Sequence, residues 1–398
     1  MNPSPKILRR VAIIGAGVVS PLGFGVGETL ESLRAGTDCV APVTAFSVDK
    51  TRCKTAGQIP DSRLLGGKGR SRRDRRLHRA SHMLIAALDE VWSQTDGFKP
   101  EMVMVGTTSG GMTFGERFYR TLGNGGGSAA LIANYPPQKQ IVDALEKFRI
   151  DAPVQVIANA CASGTNAIGH AFSTIRAGQY QRVLAGGYDA LSELVFVGFD
   201  SLQASTPEKC RPFDAERSGM VLGEGAALLA LEDLESAQRR GAEILAEIVG
   251  YGISTDNHHL TQPNPDGSGP RRAMEQALAG ADLTSGRIGY VNAHGTATVF
   301  NDAAEGKAIE QMFDDVPISS TKGMMGHSLG AAGAIEAIVS LLALQHQLLP
   351  PNINFRDPDP ELRLNIIANE ARQAEFDCVL SNSFGFGGTN ASIVLRKM

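Results

Sequence analysis

An α/β fold on a largely parallel sheet is what this 398-residue chain predicts, and three observations carry it. Short apolar runs rich in Val and Ile alternate with longer amphipathic stretches, the order expected when each strand is followed by a covering helix. Several of these runs end in glycine-rich or small-residue turns that lead into a helix pattern. Length agrees, because at roughly 150 residues per domain the chain makes two or three packed units or one composite fold.

Residues 11–14 read Val-Ala-Ile-Ile and stop at Gly15, Gly17 and Pro21. Lys6, Arg9 and Arg10 ahead of them imitate a signal peptide, but the early glycines and proline favour a first buried strand entering a turn. Further strands are expected at 102–105, 154–157, 183–185, 226–231, 244–249, 288–291, 318–320, 378–380 and 391–395. Helices are expected at 80–91, 165–175, 270–278, 303–312 and 329–345. Glu336 interrupts the most apolar of these, so no membrane span is expected and the protein is read as soluble. No Pro- or Ser-rich linker divides the chain, and 250–270 is its softest stretch. A strand, a small polar element and a Gly/Ala-led helix occur at 154–175 and again at 318–345. That repetition points to duplicated halves, 1–249 and 250–398.

Composition removes several function classes. A net charge of −4 gives no excess of cations for a phosphate backbone, so no nucleic-acid partner is expected. The five cysteines are scattered and form no CxxC, which supports neither a disulfide framework nor a metal site and fits a reducing cytoplasm. The turn at Gly15-Ala16-Gly17 lacks the third glycine of the dinucleotide fingerprint. Walker and HExxH sequences are absent. One charge run stands out: Arg63, Lys68, Arg70, Arg72, Arg73, Arg75, Arg76 and Arg79 against the single Asp74. It reads either as a solvated helix start or as a docking patch for an acidic partner.

Four segments carry candidate chemistry. Cys161 lies between an apolar strand and a helix of small residues, where unpaired N–H groups favour a thiolate; a small apolar core residue is an equally open reading of the segment alone. His294 closes the strand at 288–291. Lys322 and His327 occupy the next strand-to-helix junction. Ser381-Asn-Ser383-Phe384-Gly-Phe386-Gly-Gly388-Thr-Asn390 follows another strand end, where a glycine turn can aim N–H groups at an oxyanion. Ligands of α/β sheets gather beyond the carboxyl ends of strands, so these residues can converge.

In this order and spacing, Cys161, His294, Lys322, His327 and the loop at 384–388 resemble the β-ketoacyl-acyl-carrier-protein synthases, most closely the type II condensing enzyme. The resemblance runs from the block at 11–23, through Arg211-Pro-Phe-Asp-Ala-Glu-Arg-Ser-Gly and Gly223-Glu-Gly-Ala, to Gly387-Gly-Thr-Asn. It implies the thiolase fold, a duplicated five-layered αβαβα arrangement forming homodimers, and a cofactor-free acyltransferase that elongates a carrier-bound fatty-acyl chain. By the same resemblance Cys161 takes the acyl group as a thioester. His294 and His327 hold the malonyl thioester carbonyl while carbon dioxide departs, and Lys322 tunes the field in an ion pair with Glu305. The N–H groups of Cys161 and Phe386 match the oxyanion hole, and Phe384 and Phe386 the gate. The resemblance also implies that His259 and Thr261 belong to a second moving loop, that Thr296 and Thr298 contact the phosphopantetheine arm, and that Ser109 stands where a bulky aliphatic limits the acyl pocket. Lys68, Arg72, Arg73, Arg75 and Arg76 would dock the acidic acyl carrier protein.

The sequence departs from the family pattern at three places. Val299-Phe300-Asn301 replaces the usual residues after Thr298, the stretch from Leu202 to Arg211 is short, and Ser109 is small. These departures keep open a pathway-specific ketosynthase for a polyketide, polyene or unusual lipid, with a dissimilar partner subunit. A degradative thiolase would need a cysteine where Phe384 stands, and a non-catalytic chain-length subunit would lack Cys161.

Overall fold

The computed structural model describes residues 8–66, 74–122 and 126–398. Its main strands are β1 (Val11–Ser20), β2 (Met102–Gly106), β3 (Val154–Ile157), β4 (Arg182–Asp189), β5 (Gly225–Asp233), β6 (Ala246–Thr255), β7 (Tyr290–Asn292), β8 (Pro317–Ser319), β9 (Cys378–Gly385) and β10 (Thr389–Arg396). They follow one path, β8-β7-β9-β10-β6-β1-β5-β4-β2-β3, with a short ladder at Asn365–Ile366 beyond β8.

That path is two copies of one pattern. Outward from β1, β5 and β4 add antiparallel and β2 and β3 parallel. Outward from β6, β10 and β9 add antiparallel and β7 and β8 parallel. A ladder from Val11↔Ile248 to Ile13↔Ala246 joins the copies. The sheet is therefore mixed, which corrects the largely parallel expectation. Continuous apolar runs report burial on both faces and say nothing of direction, and the three-residue turn between β9 and β10 is too short for a parallel crossover. Position 249/250, the boundary expected between the halves, lies inside β6.

The helices complete five layers. α1 (Arg79–Gln94) covers β1 and β5 on one outer face, and α5 (Ser268–Ala281) covers β6 and β10 on the other. Between the two sheet halves lie α3 (Ser163–Arg176), against β4 and β2, and α7 (Ala332–His346), against β9 and β5. Every side chain of α7 from Ala332 to Leu344 is buried, because this helix is apolar all round and meets protein on every side. The stretch Leu329–His346 is long and apolar enough to cross a membrane, yet it is 89% buried in this core. The central pair can approach closely at their starts: a Cβ on Gly164 would stand 2.7 Å from the Gly330 carbonyl. The elements that carry Cys161 and His327 are thereby pressed together.

Three further helices bear on the site, α2 (Met112–Leu122), α4 (Glu193–Ser201) and α6 (Val299–Met312). The sequence pattern missed α2 and α4. Gly115 dilutes the amphipathic stripe of the first, and α4 is apolar on its outer face as well, with Leu194 and Val197 exposed.

Candidate active site

Cys161 sits between β3 and α3, 6% exposed, just after Ala160 in the left-handed region at φ 53°. That kink turns the chain sharply from strand to helix and fixes where the sulfur projects. Burial pushes the thiol up to about 12, against the pull of Lys322 and with help from the carboxylates of Asp189 and Glu336. Burial therefore opposes the thiolate that the helix start and its polar surroundings were expected to favour. Desolvation of the anion outweighs the nearby cation, so the resting group is a neutral thiol.

His294 and His327 reach the same cavity from β7 and from the turn before α7. Their ring centroids are 5.2 Å apart and nearly perpendicular, and Phe384 packs edge-on against His294 at 5.7 Å. Burial and the charge of Lys322 hold both imidazoles well below their ordinary value, so both are neutral. The two ring nitrogens of His327 are buried with no hydrogen-bond partner among the described residues. In a dry interior such orphans are costly unless a ligand satisfies them.

Lys322 is fully buried and its three ammonium protons have three acceptors. It donates to the His294 carbonyl at 2.6 Å, to His294 Nδ1 at 3.3 Å and to Glu336 Oε1. Since an ammonium only donates, Nδ1 must accept, and the ring proton of His294 therefore sits on Nε2. The expected ion pair between Lys322 and Glu305 does not form. Lys322 pairs with Glu336. Glu305 instead accepts from the His294 and Gly295 N–H groups at 2.9 and 2.8 Å and from Asn382 Nδ2 at 3.1 Å. Burial raises both carboxyls to about 7. Glu305 thus holds the backbone of His294, and Glu336 neutralises the lysine that fixes its tautomer.

The loop at 384–388 lies directly against Cys161. A Cβ on Gly385 would stand 3.0 Å from the Cys161 N atom, and Phe386 stacks on Phe199 of α4 with centroids 5.5 Å apart. Two backbone bonds tie this loop to its neighbour at 256–260, Asp256 N–H to the Gly388 carbonyl and Gly387 N–H to the Leu260 carbonyl, both at 2.8 Å.

Cys161, His294, His327, Phe384 and Phe386 line one cavity of about 210 Å³, together with Thr261, Thr296 and Thr298. The Thr296 and Thr298 hydroxyls bond each other at 2.9 Å. Two expected substrate contacts lie elsewhere. His259 is exposed and caps the Thr261 N–H at 3.2 Å. Ser109 is buried beside Asp189, which accepts its N–H at 2.8 Å, and it does not line this cavity. Asp189 gathers four donors, from Thr107, Thr108, Ser109 and Gly330, and so ties the loop after β2 to the start of α7.

Of the basic run, Lys68, Arg72 and Arg73 lie outside the described residues, as does the side chain of Arg75, and Arg76 is exposed. Arg63 is engaged with Glu28 and Phe24, and Arg79 with Glu224 and Asp61. Glu336, Asp189, Asn382 and Phe199 were not picked out as site residues from the sequence. Only Glu336 left a signal there, as the lone charge in the most apolar helix.

Comparison with known proteins gives one answer along the whole chain. Residues 8–237 match the Beta-ketoacyl synthase N-terminal domain and 245–356 the Beta-ketoacyl synthase C-terminal domain. The chain is 35% identical to 3-oxoacyl-[acyl-carrier-protein] synthase 2 of Synechocystis sp., over 98% of each protein. It is also 35% identical to the putative polyketide beta-ketoacyl synthase 1 of Streptomyces cyaneus, over 97% of this chain and 98% of that one. Among solved structures, the ishigamide ketosynthase/chain length factor superposes with a TM-score of 0.91 at 34% identity, covering 98% of this chain and 100% of that one.

Proposed function

The chain belongs to the β-ketoacyl synthase family, and from that premise we propose how its own residues carry out the decarboxylative condensation of malonyl-carrier protein with an acyl group held on Cys161. The thiolase fold and the activity of a 3-oxoacyl-carrier-protein synthase follow from the relatives. The observation that carries the residue roles is the meeting of one thiol, two neutral imidazoles and a glycine turn in a single buried cavity.

In the first half-reaction the Cys161 sulfur attacks the carrier-bound thioester. Its proton ends on the departing carrier thiol, and the acyl group stays on Cys161. Because the resting thiol is neutral, deprotonation accompanies attack, with the vacant nitrogen of His327 as a local acceptor. In the second, the malonyl carboxylate leaves as carbon dioxide and its bonding pair forms an enolate. The oxygen gaining that charge accepts from His294 Nε2–H and from His327. Two neutral donors suit this step, because fixed positive charge in the tunnel would hold the malonyl carboxylate instead of releasing it. The enolate carbon then attacks the acyl carbonyl, the N–H groups of Cys161 and Phe386 receive the oxyanion, and the thiolate departs and recovers a proton.

The partner we propose is an acyl carrier protein, as in the names of the relatives, docking through the basic run at 63–79, of which Arg76 is exposed. A second copy of the chain is proposed along β3, which pairs only with β2 among the described strands and leaves its outer edge open. The halves 1–249 and 250–398 then supply the nucleophile and the decarboxylating pair respectively. Five free cysteines fit a reducing cytoplasm. A specialised polyketide role is the second reading, favoured by the Streptomyces relative and by the short segment after Leu202.

Acyl transfer from a radiolabelled carrier thioester tests the assignment. Cys161→Ala should take no label, and Cys161→Gln should still release carbon dioxide from malonyl carrier protein without condensing. Full labelling of Cys161→Ala would overturn the nucleophile. Condensation by the purified chain alone would argue against an obligatory dissimilar partner.

A further inference from the structure

Asp189, the last residue of β4, is fully buried, and every partner it has is a neutral donor. Its Oδ1 accepts from the Thr107 hydroxyl at 2.7 Å and the Ser109 N–H at 2.8 Å. Its Oδ2 accepts from the Thr108 N–H at 2.8 Å and the Gly330 N–H at 2.7 Å. The Thr107 hydroxyl itself accepts from the Gly110 N–H at 3.0 Å, so its own proton points at Asp189. A carboxylate offers about four lone-pair sites, and here donors fill them all. No room is left for a proton, and the group stays ionised although burial raises it. Bonds to an ionised oxygen are short and roughly twice as strong as neutral ones.

The groups so held lead to both reactive turns. The Thr108 hydroxyl donates to the Ala160 carbonyl at 3.2 Å, and Ala160 is the left-handed residue that aims Cys161. Gly330 belongs to the short turn Leu329–Ala331 between His327 and α7, where Leu329 is left-handed at φ 53°. One oxygen of Asp189 therefore joins the Cys161 turn to the His327 turn across the two copies of the strand pattern. Glycines let these parts close: a Cβ on Gly330 would stand 2.6 Å from the Thr108 N atom, and one on Gly187 2.7 Å from the Gly330 carbonyl. The imidazoles have supports of their own. His327 is held through its N–H on the Val221 carbonyl and its carbonyl on the Gly223 N–H, at 2.7 and 2.8 Å, and His294 is held by Glu305.

We propose that Asp189 is a positioning residue for acyl transfer: its Oδ2 sets the spacing between Cys161 and His327, and the Thr108 hydroxyl carries that spacing to the Cys161 turn. The proposal rests on the condensing reading of the site and adds to it which step depends on the link. Acyl loading needs the sulfur within reach of the His327 nitrogen that takes its proton, and small errors of placement are costly in such a step. Decarboxylation needs only the two imidazoles, whose supports do not pass through Asp189.

The test uses the intact protein. Thr108→Val keeps the side-chain shape and the N–H bond to Asp189 and removes only the hydroxyl; Thr108 is exposed, so the thermal melt should not move. The rate of Cys161 loading from an acyl carrier thioester should fall roughly tenfold, equal to about 1.4 kcal/mol, with KM unchanged, and Thr108→Ser should restore it. Placed on Cys161→Gln, the same Thr108→Val change should leave carbon dioxide release from malonyl carrier protein as it is in Cys161→Gln alone. Asp189→Asn should slow loading as well, and adding Thr108→Val to it should cost little more, because the two act through one link. The proposal is refuted by undiminished loading in Thr108→Val, by an equal fall in decarboxylation, by failure of Thr108→Ser to restore the rate, or by full additivity of the pair. If the unsubstituted chain takes no acyl label at all, the condensing reading fails first and the link with it.

Discussion

Replacing Lys322 by methionine removes one buried charge and leaves another, and the consequence can be worked through. Lys322 and Glu336 are both fully buried. The methionine keeps most of the volume but none of the three donors, so Glu336 loses its cation and His294 Nδ1 loses the N–H donor it accepts from. Breaking a buried pair in this way costs about 3–5 kcal/mol when the survivor stays ionised. Burial already raises Glu336 to about 7, with Lys322 opposing; without the opposition it rises further.

The sign then follows. A carboxyl whose folded value lies above its unfolded value binds more protons in the native state, so stability falls as pH rises between the two values. Across pH 6 to 8 that slope is worth up to about 2.7 kcal/mol, at 1.36 kcal/mol per unit. Urea denaturation at the two pH values is the assay. The variant should lose distinctly more stability at pH 8 than at pH 6 relative to the unsubstituted protein, while condensation stays low at both because the His294 tautomer is no longer fixed. An equal loss at both pH values would refute the claim that Glu336 is neutralised by Lys322.

His327→Ala should cut malonyl decarboxylation by roughly 10²-fold or more, the scale for losing one oxyanion donor, while stability holds or improves because two orphaned nitrogens are removed; carbon dioxide release and a thermal melt read the two effects separately. Gly388→Ala forces a Cβ to 2.9 Å from the Asp256 side chain at a backbone φ of 75°, so it should loosen the tie between the gate loop and its neighbour and lower kcat for condensation while the rate of Cys161 alkylation rises, and equal kinetics would show that the tie has no part in turnover.

The chain by itself made legible the order of the main strands, of the helices other than α2 and α4, and the residues that meet in the cavity. Runs such as 226–231 are apolar on both faces, and Cys161, His294, Lys322 and His327 each stand at a strand end that small residues mark. Strand direction was not legible, because burial on both faces writes the same pattern for parallel and antiparallel neighbours. Nor was the protonation state of Cys161, since a helix start is visible in sequence and the depth of burial that opposes it is not. The partner of Lys322 depended on which of two buried acids the packing brings near. Glu305 is nearer in the chain after His294, but it is occupied by backbone N–H groups, and Glu336 arrives from the central helix α7. Ser109 shows the converse: its place in the sequence implied a pocket wall, and it is buried with its N–H on Asp189, outside the lining of the cavity that holds Cys161. Local chemistry is written residue by residue, whereas charge balance in a dry interior depends on distances that only the packed layers set.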